Sequence, residues 1–124
     1  MGNNIILCKA KLNRAKVTQA SESYHGSLTI DKEIMDLLKV YPYEKVLVVN
    51  IDNGNRFETY LIPGEYGKRE IGLNGGAAKL GKVGDTIGFV VFGIYPEEIA
   101  IGFKPIVYTL EENGDLVEIK QKEY

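Results

Sequence analysis

A chain of 124 residues with 44% hydrophobic and 26% charged residues is sized for one soluble, globular domain with a real core. A formal net charge of −2 argues against a nucleic-acid or membrane partner, since both need a basic face. One cysteine excludes an internal disulfide and fits a reducing cytoplasm, and one histidine with no clustered carboxylates leaves no metal-ligand set. No apolar run approaches the ~20 residues of a membrane span. Asn3 and Asn4 precede the short Ile5-Ile6-Leu7 run with no basic segment, so no secretory signal peptide is expected.

Along the chain, Ile6, Cys8, Ala10 and Leu12 alternate with Leu7, Lys9, Lys11 and Asn13, which predicts a strand. The apolar parity then changes to Ala15 and Val17, predicting a bulge near Asn13-Arg14. Leu28 and Ile30 predict a short strand after Ser27. Asp31 reads as an N-cap, and Ile34, Leu37 and Leu38 share one face of a short helix that ends before Pro42. A hairpin from Lys45 to Ile51 and Arg56 to Ile62 turns at Asn53-Gly54. Glu70 to Leu73 forms a strand that runs into Asn74-Gly75-Gly76, with one helical turn over Ala77 to Leu80. The long apolar strand Thr86 to Tyr95 follows, then a short helix starting at Pro96. A last hairpin turns at Asn113-Gly114, between Ile106 to Leu110 and Leu116 to Ile119, ahead of a polar tail. The sum is a mainly β fold: a small barrel of six or more strands with short helices. The pattern leaves the barrel topology open.

Four short segments carry the chemistry. They are Lys11-Leu12-Asn13-Arg14; Tyr24-His25-Gly26-Ser27-Leu28-Thr29-Ile30-Asp31; Asn53-Gly54-Asn55-Arg56-Phe57-Glu58-Thr59-Tyr60; and Leu73-Asn74-Gly75-Gly76-Ala77-Ala78. Each alone is weak: Gly26-Ser27 is an ordinary turn dipeptide, Lys11 and Arg56 are ordinary solvated strand cations, and Tyr60 is one of eight tyrosines. In this order and spacing, over roughly residues 5 to 110, they resemble the aspartate 1-decarboxylase family of pyruvoyl-dependent enzymes. Asn13 stands where that family commonly has histidine, and Gly76 where alanine is usual.

The resemblance implies a double-psi β-barrel, assembled as a homotetramer with active sites between subunits. It implies that the chain cuts itself at Gly26-Ser27 into pieces 1–26 and 27–124. The Ser27 hydroxyl attacks the Gly26 carbonyl, the peptide shifts to an ester, elimination follows, and hydrolysis leaves a pyruvoyl group at the new N-terminus. Glycine suits that step because it has no Cβ to block the attack. Thr59 is implied in cleavage, and Tyr60 as the proton donor to the product carbon. Tyr24 is a candidate to line the site, and His25 takes no assigned role.

The substrate implied is L-aspartate, yielding β-alanine and carbon dioxide for pantothenate and coenzyme A synthesis. A dicarboxylate needs fixed cations for the carboxylate that stays, and Lys11 and Arg56 are the candidates. Asn74, Gly75, Gly76 and Ala77 offer backbone N–H groups and an amide to the substrate. Two alternatives remain open at this point. One is the same chemistry on another acidic amino acid, such as cysteine sulfinate. The other is a non-catalytic β-barrel interaction module that keeps its backbone intact.

Overall fold

The computed structural model describes residues 2–22 and 26–124. Tyr24 and His25 lie outside the described residues, so the expectations attached to them rest on sequence alone. Nine strands are seen among the described residues: β1 (Asn4–Lys16), β2 (Gln19–Ser21), β3 (Ser27–Asp31), β4 (Lys45–Asn50), β5 (Arg56–Gly64), β6 (Ile71–Asn74), β7 (Thr86–Pro96), β8 (Ile106–Leu110) and β9 (Leu116–Glu118). They pair in the order β2-β6-β3-β5-β4-β7-β1-β8-β9. One α-helix, α1 (Lys32–Leu38), follows β3, and short 3-10 turns cover Gly75–Lys79 and Glu97–Ile99. The fold is mainly β with short helices, as the alternation and the turn residues imply. Among the described residues, no helix is long and apolar enough to cross a membrane.

The local signals translate into geometry for identifiable reasons. The change of parity after Leu12 appears as a register shift between Leu12 and Ala15 in the β1–β7 ladder. A second shift, between Cys8 and Ala10, left no trace in the apolar pattern. Gly54 turns the β4–β5 hairpin with φ +80°, a value that favours glycine. Strand β2 is not predicted from the sequence; its three residues pair in parallel with β6, a contact that local propensity does not encode.

Two rows of side chains define the core. Across β1, β7, β4 and β5, the partners Leu12, Phe89, Val48 and Phe57 line up; all but the half-buried Phe57 are fully buried. Across β5, β3 and β6, Leu61, Leu28 and Leu73 line up in the same way. Strand β3 thus carries Leu28 and Ile30 into the core, and its alternate residues Ser27 and Thr29 face the other way.

Asp31 closes β3 and caps α1. Its buried carboxylate accepts the backbone N–H of Glu33 (2.8 Å), Gly67 (2.8 Å) and Arg69 (2.6 Å), and the Arg69 guanidinium at 3.1 Å. Arg69 also reaches Glu33 (2.7 Å) and the Gly114 carbonyl (2.8 Å). Burial pushes the Asp31 carboxyl up, but the accepted hydrogen bonds outweigh it and hold the group below the usual carboxylate range. A depressed folded pKa means stability that is present above the unfolded value, near pH 4, and is lost as pH falls through the folded one. Asp31→Asn is therefore expected to cost about 1.5–3 kcal/mol at pH 7. Urea unfolding of both proteins at neutral and acid pH checks this, and the gap between them should narrow as the wild-type carboxylate protonates.

Candidate active site

Ser27 and Asn74 are direct cross-strand partners in the antiparallel β3–β6 pair, so their side chains share a face. Asn74 Nδ2 donates to Ser27 Oγ at 2.9 Å and to Thr29 Oγ1 at 2.7 Å. All three side chains belong to residues no more than 7% exposed. On the other flank, β5 runs parallel to β3 with Leu28 opposite Leu61. One residue earlier on each strand, Ser27 and Tyr60 come side by side on the face away from the core.

Ser27, Thr29, Tyr60 and Asn74 line one cleft of about 500 Å³, together with Gln19, Tyr43, Glu65 and Glu70. The Tyr60 ring lies 5.9 Å from that of Tyr43. Tyr43 is itself held by its N–H to the Leu61 carbonyl at 2.7 Å. Gln19 donates to the Glu70 carboxylate across the cleft wall. A larger groove, about 540 Å³ between Arg14, Lys16, Glu111 and Glu112, contains none of the predicted catalytic, cleavage or substrate-binding residues.

The other candidates lie at defined distances from this cleft. Thr59 sits on the alternate face of β5, opposite the buried Val46, as period-two alternation requires. Arg56 is on the Tyr60 face but four residues away, roughly 13 Å along the strand. Lys11 pairs with Val90, which pairs with Leu47, which pairs with Glu58. Three strand spacings, about 14 Å, therefore separate Lys11 from Glu58. Among the described residues no lysine or arginine lines the cleft, while Glu65 and Glu70 do. One chain thus joins Ser27, Tyr60 and Asn74 but leaves Lys11 and Arg56 on the outer sheet face.

Gly26 is exposed, and a Cβ built on it would meet nothing within 4 Å. After β6, Gly75 turns the chain with φ +63°, and Ala77 is buried in the 3-10 turn. Sequence reasoning missed Thr29, Gln19 and Glu70. Only the Thr29 spacing of two from Ser27 could have signalled a shared face.

A family model described as aspartate decarboxylase matches residues 3–117. The chain belongs to the aspartate decarboxylase family. It is 44% identical to the aspartate 1-decarboxylase of Desulfitobacterium hafniense (strain DSM 10664 / DCB-2), over 94% of this chain and 92% of that protein. It is 46% identical to the protein of the same name from Leptospira biflexa serovar Patoc (strain Patoc 1 / Ames), over 89% and 94%. With that of Thermoanaerobacter pseudethanolicus it shares 47% identity over 87% and 92%. The match covers every motif residue of the cleft.

The glycine loop of this family member separates two kinds of glycine. A Cβ on Gly76 would meet nothing within 4 Å, whereas Gly75 holds a left-handed φ. Gly76→Ala should leave stability within about 0.5 kcal/mol of wild type. Gly75→Ala should cost about 1–2 kcal/mol, the penalty of a left-handed residue with a Cβ. Thermal unfolding of the two variants side by side measures the difference.

Proposed function

We propose that this chain decarboxylates L-aspartate to β-alanine and carbon dioxide, using a pyruvoyl group made from Ser27, and so supplies pantothenate and coenzyme A synthesis in the cytoplasm. The observation that carries the reading is the Ser27–Asn74 contact beside Tyr60, in a chain of this family. Ser27 is buried at the start of a strand, its Oγ accepts an amide N–H, and the residue before it has no Cβ. These features suit attack of the hydroxyl on the preceding carbonyl. The attack forms an ester: the Gly26 carbonyl carbon bonds to Ser27 Oγ, the amide C–N bond breaks, and the hydroxyl proton passes to the freed Ser27 amine. Elimination then removes the Ser27 Cα proton and breaks the Cβ–Oγ bond, a Cα=Cβ double bond forms, and Gly26 leaves as a carboxylate. Hydrolysis releases ammonia and leaves a ketone on the piece 27–124. Thr59, on the opposite face of β5, is assigned to this cleavage on the family resemblance alone.

The ketone supplies an electron sink for the bond to the departing carboxylate. The rest falls to the chain. Tyr60, which flanks Ser27, gives a proton to the product carbon. Asn74 and the loop Gly75 to Ala77 offer donors at the cleft edge. The side-chain carboxylate of the substrate needs Lys11 and Arg56, which one chain does not bring to its own cleft.

A site shared between copies, in a homotetramer, resolves this. One feature of the surface supports self-association. The outer face bearing Lys11 and Arg56 also carries the exposed pair Ile6 and Ile94 (68% and 72% exposed), with Phe92 beside them. Adjacent exposed apolar side chains of this kind mark association surfaces.

Wild-type protein should separate into pieces 1–26 and 27–124 on intact-mass analysis, while Ser27→Ala stays whole. Tyr60→Phe should mature normally but lose turnover by roughly 10²–10⁴-fold. Splitting of Ser27→Ala, or near-normal turnover in matured Tyr60→Phe, would remove the respective residue from the mechanism.

The shared site has its own test. Arg56→Ala and Tyr60→Phe chains, each nearly inactive alone, should regain a fraction of aspartate turnover when co-expressed. A mixture no better than its components would place Arg56 outside a two-chain site.

A further inference from the structure

We infer that Thr29 is a positioning residue: its hydroxyl holds the Asn74 amide so that one Nδ2–H stays aimed at Ser27 Oγ, and through that contact it sets the rate of Gly26–Ser27 cleavage. The inference rests on the proposed reading that this bond cleaves.

An asparagine amide nitrogen has two hydrogens, diverging in one plane. Here one goes to Ser27 Oγ at 2.9 Å and the other to Thr29 Oγ1 at 2.7 Å. Both donors are spent, and fixing either fixes the other. The Thr29 end is the stiffer anchor. A β-branched side chain has little χ1 freedom, and Thr29 is only 7% exposed in the middle of β3.

The surroundings are shaped around Thr29. Its cross-strand partner is Gly72, and a Cβ there would lie 3.2 Å from Thr29 Cβ and 3.1 Å from Gln19 Cγ. A Cβ on Gly64 would lie 3.1 Å from Thr29 Cγ2. Thr29 therefore fills a slot between two glycines, and Asn74 reaches it diagonally across the strand pair. Without the hydroxyl, a buried N–H loses its acceptor, and the amide gains by rotating toward another. That rotation takes the second N–H off Ser27 Oγ and removes one of the contacts that set its rotamer, so fewer molecules hold the hydroxyl poised for attack.

The test follows freshly prepared precursors of wild type, Thr29→Val and Thr29→Ser by intact mass at one temperature, with unfolding midpoints measured alongside. Thr29→Val keeps the branched shape and should cleave about tenfold more slowly, the worth of one lost hydrogen bond. Thr29→Ser keeps the acceptor and should cleave within about threefold of wild type, although it packs less well. A purely structural role would rank the variants by their unfolding midpoints instead. Should Thr29→Val fail to fold, Thr29→Ala takes its place in the comparison with Thr29→Ser. Cleavage of the hydroxyl-free variant at the wild-type rate, or Thr29→Ser as slow as that variant, overturns the inference. In either case wild-type cleavage leaves the self-processing reading standing. Wild type that never cleaves overturns both.

Discussion

Strand β3 is only five residues long, yet it is bonded on both sides, parallel to β5 and antiparallel to β6. That double pairing is the constraint on which the cleft depends. With every residue of β3 buried, one row must serve the core and the other must be polar and satisfied. Leu28 and Ile30 take the first role. Ser27 and Thr29 take the second, with the Asn74 amide supplying a donor to each. A one-residue slip of β3 would put two hydroxyls into the apolar core and two aliphatic side chains into the cleft, so the register is strongly specified. The same pairing that stabilises the sheet therefore places the Ser27 hydroxyl against Asn74.

The end of β3 is fixed by a separate device. Asp31 gathers three backbone N–H groups and a guanidinium, tying the start of α1 to the loop that separates β5 from β6. Arg69 accepts a left-handed φ of +58° to do this, a conformation that costs energy for a residue with a Cβ. The hydrogen bonds to a buried carboxylate outweigh that strain, since each exceeds a neutral one in strength. Because Gly64 and Glu70 border both the loop and the cleft, the Asp31 anchor bears on the shape of the cavity as well as on stability.

Much of the fold was legible because its signals are local. The Asn53-Gly54 and Asn113-Gly114 turns, the Asp31 cap and the Leu12-to-Ala15 change of parity each depend on residues a few positions apart. What sequence could not reveal depends on partners far along the chain. Strand β2 exists through β6, and the Cys8–Ala10 shift is absorbed by β7 without disturbing the apolar rhythm. Thr29 looked like one more β-branched strand residue. Its role is visible only once Asn74, forty-five positions later, lies diagonally across from it.

The cations show the limit of motif reading most sharply. Spacing placed Arg56 on the Tyr60 face, and the ladder agrees, but a shared face on a strand is not a shared site. Four residues of extended chain put the guanidinium beyond reach of Ser27 within one copy, and Lys11 is three strands from Glu58. Meanwhile the cleft presents Glu65 and Glu70, whose charge repels a dicarboxylate unless cations arrive from elsewhere. The two groups of candidate residues are thus segregated: Ser27 and its amide partner Asn74 in a buried cleft, Lys11 and Arg56 on an open face that also bears exposed isoleucines. The proposed two-chain site follows from this division, and in it electrostatics as much as apolar area would set how the copies meet.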